Sequence, residues 1–232
     1  NIFDGGFLGL DNIGIFDRSS ELPGGGTLEQ ADGTSWMAMF SLTMMRISIE
    51  LATRNPVYQD MAVKFLEHFL EIALAMTAMG GGKDGLWDDT DEFYYDQLLL
   101  PDGRRIPMRI QSIVGLIPLF AVEVLEPETL EKIPQFAKHL DRIFEKRPEL
   151  YGLVSHWNEP GRGERRLFSL LRGHRMKCLF KRMLDEDGFL SPHGIRSLSK
   201  YHKDHPYAIE IEGKRYTIDY EPAESHTTLF GG

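Results

Sequence analysis

With 232 residues, 42% of them hydrophobic and 11% aromatic, the chain is long enough to bury a substantial core, which excludes a disordered polypeptide. A formal net charge of −9 argues against nucleic acid as a partner, and no membrane span is expected. Gln111, Ser112, Pro118 and Glu123 break the most apolar stretch well short of the roughly 18 residues a span needs. The single cysteine, Cys178, excludes an intrachain disulfide and a Cys-rich metal site. It fits a reducing compartment, for which the cytoplasm is the expectation.

In chain order, residues 1–26 read as loop: seven glycines punctuate aromatic residues, and Pro23-Gly24-Gly25-Gly26 closes the segment. Apolar residues at helical spacing from Leu28 to Ala52 predict a long helix stopped by Asn55-Pro56. A second helix, over about 57–79, ends at Gly80-Gly81-Gly82, and the two are expected to pair as an antiparallel hairpin. Pro101-Asp102-Gly103 marks a β-hairpin turn between Phe93 and Ile110. Helices are then predicted over about 112–124, 129–147 and 164–184, followed by a loop at 187–205 and a second β-hairpin over 207–220 that turns at Glu212-Gly213.

Paired helices with short β excursions predict an all-α fold, part of an (α/α) six-hairpin toroid, with 1–232 as a single, partial domain. A closed ring needs about twelve helices. The start at Asn1 and the end at Gly231-Gly232 read as cut from something longer.

Three regions carry candidate chemistry. Gly9-Leu10-Asp11-Asn12, with Asp17-Arg18, lies among Phe3, Phe7 and Phe16. A carboxyl group against aromatic walls is held protonated and can act as a general acid; the same residues also suit an Asp-Asn turn bonded to its own backbone. Gln30 and Asp32 lie at the start of the first long helix, with Trp36 one turn on. There they suit paired hydrogen bonds to sugar hydroxyls, or simple capping with Thr27 as N-cap and Gln30 completing a capping box. Gly85 to Asp89 and on through Glu92 to Asp96, with Trp87, Tyr94 and Tyr95, combines aromatic faces with acidic acceptors, which suits sugar stacking. The acids lack the glycine of an EF-hand loop, and His193, His202 and His205 lack a helical partner motif, so neither a metal nor any other cofactor is expected.

Four segments in order resemble the bacterial branch of glycoside hydrolase family 63: Gly-Leu-Asp-Asn at 9–12, Glu-Gln-Ala-Asp-Gly-Thr at 29–34 with Trp36, Ser-Pro-His-Gly-Ile-Arg-Ser-Leu-Ser at 191–199, and Leu-Phe-Gly-Gly at 229–232. The resemblance implies hydrolysis of α-glycosidic bonds with inversion, an oligosaccharide or small glycoside as partner, and Asp11 as general acid. Phe7, Asn12, Gln30, Asp32, Trp36, Trp87, Tyr95 and Arg196 are the residues expected around the substrate; Arg18 or Arg196 could pair with a substrate carboxylate, or equally serve as a structural ion-pair partner. In that family an Asn-Trp-Arg-Gly stretch and then the general-base glutamate follow the last segment, and neither is within these residues. Glu224 is the one late acid considered, in a supporting position. His193 stands where a tyrosine is expected and Thr228 where a glycine is expected. The rival readings are a carbohydrate-binding or structural module without chemistry and, ranked last, a helical-toroid isomerase or lyase.

Overall fold

Two helices organise the core. In α1 (Ala31–Ala52) the fully packed positions Ala38, Leu42, Met45, Ile49 and Ala52 recur at intervals of three and four, so they form one stripe. In α2 (Tyr58–Ala78) Ala62, Leu66, Phe69, Ala73 and Met76 do the same. The two stripes face each other across the short connection at 53–57, and each large apolar side chain buried there contributes about 1.5–3 kcal/mol. This is the expected helical pair, shortened by a few residues at the start of α1. The computed structural model describes residues 2–3, 14–18, 20–78, 85–151 and 161–222.

The remainder is not the expected all-α toroid. Among the described residues are eleven short strands in five small antiparallel sheets, so the fold is mixed α/β. Thr27–Glu29, placed by periodicity at the edge of the first helix, forms β1 and pairs with β4 (Asp96–Leu99), which pairs in turn with β5 (Arg105–Met108). The β4–β5 turn at 101–103 is the expected one, with Gly103 in the left-handed region. The sheet is completed by a strand 70 residues away that no local signal marks. Ahead of it, β2 (Trp87–Asp88) and β3 (Phe93–Tyr94) make a second small hairpin.

Residues 112–124, expected as a helix, form a 3-10 helix over Ile113–Phe120 and then β6 (Val122–Leu125). Pro118 offers no amide hydrogen, and the branched Val122 and Val124 favour extended backbone. Gly115 is needed for another reason. A Cβ there would overlap the Phe93 ring and the Tyr94 carbonyl, so the 3-10 helix can pass beneath β3 only with glycine at the crossing.

The expected helix over 129–147 is divided by Pro134 into α3 (Pro127–Lys132) and α4 (Pro134–Lys146), and α5 (Pro148–Tyr151) follows. The first half of the expected 164–184 helix is β7 (Arg166–Ser169), paired with β6, and α6 covers only Gly173–Met183. The 187–205 segment contains β8 (Leu190–Ser191) and β9 (Gly194–Ile195). The last hairpin is where it was expected: β10 (Tyr207–Ile211) and β11 (Lys214–Ile218) are joined by Glu212 and Gly213, both at positive φ, the pattern of a tight two-residue hairpin turn. No helix among the described residues is long and apolar enough to cross a membrane.

Candidate functional site

The N-terminus of α1 is held by chemistry from distant parts of the chain. Gln30 is the N-cap residue, but its side chain makes no capping bond, so the expected Thr27–Gln30 capping box is absent. The first amide of the helix, Ala31 N–H, donates instead to Asp96 Oδ1 on β4 at 2.8 Å. Arg18 Nη1 donates to both carboxylate oxygens of Asp32, at 2.9 and 2.8 Å, and Arg18 Nη2 bonds Asp96 Oδ2. All three side chains are buried.

One guanidinium therefore faces two carboxylates out of water, beside the positive end of a helix. Burial, offset in part by Arg18 and reinforced by the Asp32 charge, pushes the Asp96 carboxyl up to about 6. Arg18 is itself held above its ordinary value: burial opposes its charge, but the two carboxylates outweigh that. The backbone beside Phe3 closes the cluster, Phe3 N–H donating to Thr34 Oγ1 at 3.0 Å and Gln30 N–H to the Phe3 carbonyl at 3.0 Å.

A cavity of about 390 Å³ opens beside this cluster, lined by Arg18, Ser20, Leu22, Thr27, Leu28 and Gln30 among others. Gln30 is 1% exposed, and its Nε2 has no hydrogen-bond partner among the described residues. A buried amide hydrogen without an acceptor costs about 1–3 kcal/mol, and Gln30 is one of the residues that line this cavity. A larger hollow of about 740 Å³ lies among α1, α2 and α4, lined by Met37, Leu70, Ile72, Arg142 and Ile143. Of the residues singled out from the sequence it includes Phe3 but no candidate acid or amide, and the smaller cavity is the better candidate because Gln30 is part of its lining.

The expected substrate residues divide into groups. Asp11, Asn12 and Phe7 lie outside the described residues, as does Glu224. Gln30 and Asp32 are brought together with Arg18; Gln30 lines the cavity, whereas both Asp32 oxygens accept from Arg18. Trp36 packs its ring on Phe120, 5.6 Å between centroids.

Trp87 and Tyr95 are buried in the β2–β3 hairpin with their polar atoms engaged: Trp87 Nε1 donates to Asp89 at 2.8 Å, and Tyr95 Oη to Asp91 at 3.0 Å. The Arg175 guanidinium lies over the Trp87 ring at 4.9 Å. The acids of this region act locally too, Asp88 accepting from the Thr90 and Asp91 amides and from Arg109. Arg196 donates to the carbonyls of Glu186, Gly188 and Leu190, binding the β8–β9 hairpin to its own loop. The polar atoms of Trp87, Tyr95 and Arg196 are thus engaged with the protein itself, whereas the Gln30 amide nitrogen is unmet among the described residues.

Two features escaped the sequence. Asp96 closes the aromatic-acidic segment read from the sequence, but its pairing with Arg18 spans 78 residues and has no local signal. Glu92, His174 and Cys178 also come together, with ligand atoms within 4.8 Å of one another. The i, i+4 spacing of His174 and Cys178 on a helix was the available half of that signal. Of the loop histidines, His193 is exposed. His202 is buried, its Nε2 accepting from Gln111 N–H at 2.9 Å while Nδ1 faces the His205 carbonyl at 2.9 Å, and burial lowers its pKa.

No protein-family model matches the chain. Over its whole length the chain is 47% identical, in an alignment of 244 residues, to the uncharacterized protein YMR196W of Saccharomyces cerevisiae. It spans 22% of that relative's length.

Proposed function

We propose that this chain is part of an α-glycoside hydrolase that inverts the anomeric centre, with Asp11 as general acid. The whole protein's general base would be a carboxylate elsewhere in the polypeptide. The observation that carries this reading is Gln30, which lines the cavity beside Arg18 and whose buried amide nitrogen has no hydrogen-bond partner among the described residues. A sugar hydroxyl is both donor and acceptor, and a turn of the Gln30 amide toward the cavity would let one meet the unpaired N–H.

Arg18, seven residues after Asp11 in sequence, also lines the cavity and is locked into Asp32 and Asp96. In the proposed reaction Asp11 protonates the glycosidic oxygen. A second carboxylate, about 6.5–9.5 Å from it, activates water on the opposite face of the ring. Gln30 and Asn12 orient hydroxyls, Phe7 and Trp36 supply apolar walls, and Asp32 acts through Arg18. Trp87, Tyr95 and Arg196 hold the surrounding hairpins. The substrate is an oligosaccharide or small α-glycoside, and neither nucleic acid, membrane nor cofactor enters the reaction. A cytoplasmic setting suits the free thiol of Cys178.

The test uses the full-length protein, its Asp11→Asn form and its Gln30→Leu form on a panel of α-glucosides and α-mannosides, with product anomers followed by NMR. The expected result is release of the inverted anomer, lost by a factor of hundreds or more without the Asp11 carboxyl. Gln30→Leu is expected to weaken substrate binding about tenfold. Turnover indifferent to Asp11→Asn removes that residue from the mechanism. Sugar binding with no turnover in the unaltered protein replaces the hydrolase with a binding module.

A further inference from the structure

The β2–β3 turn and α6 bring a carboxylate, an imidazole and a thiol to one point. His174 and Cys178 lie one turn apart on the same side of α6, and Glu92 reaches them from just before β3. His174 Nε2 is 3.6 Å from Cys178 Sγ and 3.5 Å from Glu92 Oε1. In a tetrahedral zinc site, with bonds of about 2.3 Å to sulfur and about 2.0 Å to nitrogen and oxygen, the S···N edge is about 3.5 Å and the N···O edge about 3.3 Å. Both observed separations agree with those edges to within about 0.2 Å. The third edge, from sulfur to carboxylate, is within 4.8 Å, and a small rotation of the half-exposed Glu92 brings it to the required value of about 3.5 Å.

We propose that Glu92, His174 and Cys178 bind a zinc-class divalent cation that clasps the β2–β3 turn to α6. One thiolate, one imidazole and one carboxylate select zinc over calcium or magnesium, which prefer all-oxygen shells. Cys178 is buried while His174 and Glu92 are exposed, so the fourth vertex faces solvent and takes water. Burial, and then the Glu92 carboxylate bonded to it, hold the Cys178 thiol above its ordinary range. The cation therefore displaces a proton: thiol plus M²⁺ gives metal thiolate plus H⁺. Lys181 and Arg182 lie near enough to oppose a cation, so the site needs the charge of both thiolate and carboxylate.

The elements joined already share contacts. Arg175 covers Trp87, and Arg182 bonds the Asp91 carbonyl and lies over the Phe93 ring. A cation at Glu92 would fix the one turn these contacts leave exposed. This proposal is independent of the glycosidase reading.

To test it, the full chain is stripped with chelator and titrated with Co²⁺, whose bond to a thiolate gives a near-ultraviolet charge-transfer band and whose tetrahedral geometry intensifies the visible bands. The expected result is one equivalent bound with both signatures, displaced by Zn²⁺, and a rise in Tm on adding Zn²⁺. Cys178→Ser should abolish the charge-transfer band. His174→Gln, at an exposed position that does not threaten folding, should weaken binding at least about tenfold; His193→Gln should leave it unchanged. A chain that takes up no Co²⁺, or a cobalt spectrum unaltered by His174→Gln, overturns the proposal.

Discussion

Replacing Asp96 with Asn separates the charge of that carboxylate from its shape. The amide oxygen can still accept from Ala31 N–H, so the helix start keeps its cap, but the side chain no longer titrates. An ordinary aspartate titrates near 3.8, and Asp96 in the folded chain is pushed up to about 6. The folded state thus holds a proton over a range where the unfolded state has lost it, and stability from this group is fully present below pH 3.8 and lost as pH rises through 6. A difference of that size corresponds to about 3 kcal/mol. Urea unfolding of both proteins from about pH 4 to about pH 7.5 should show the unaltered chain losing roughly 2–3 kcal/mol relative to Asp96→Asn, a midpoint change of roughly 1 M. Working with the difference removes the other titrating groups, including His202, whose lowered pKa acts in the opposite direction as pH falls. A difference that stays flat, or one in which the unaltered chain gains on the variant as pH rises, would refute the reasoning and show that Arg18 outweighs the burial of Asp96.

Three further substitutions probe the framework. Arg18→Met leaves Asp32 and Asp96 buried without their cation and should cost about 3–5 kcal/mol near neutral pH, and less near pH 4, measured by the same urea titrations. Gly115→Ala forces the 3-10 helix and β3 apart and should cost about 3 kcal/mol, visible as a fall in thermal midpoint, whereas Gly103→Ala, where a Cβ meets nothing, is limited to the milder strain of its positive φ.

Elements whose cause lies within a few residues were legible in the sequence. The α2 stripe and the turns at Gly103 and Glu212-Gly213 are set by periodicity and positive φ, and they fall where expected. Residues 112–124 were misread because a short apolar run suits helix and strand alike, and β7, which pairs with β6, was hidden for the same reason. Once these became strands, the all-α toroid could not stand. At the site, Gln30 and Asp32 were visible as polar residues heading an apolar helix. Their partners were not: Asp96 is indistinguishable in sequence from any strand-end acid, and Glu92 gains meaning only when α6 lies beside it.

The span of these contacts also bears on the order in which the molecule assembles. The α1–α2 pair closes across a short connection, whereas Arg18 finds Asp96 across 78 residues, and His202 finds Gln111 across 91. Closing a longer loop costs more chain entropy before any contact repays it. The helical hairpin should therefore nucleate folding, with the Arg18 lock closing after the rate-limiting step. In stopped-flow experiments Arg18→Met should accelerate unfolding while leaving the refolding rate nearly unchanged. The candidate site would then take shape only after the helical hairpin that carries it.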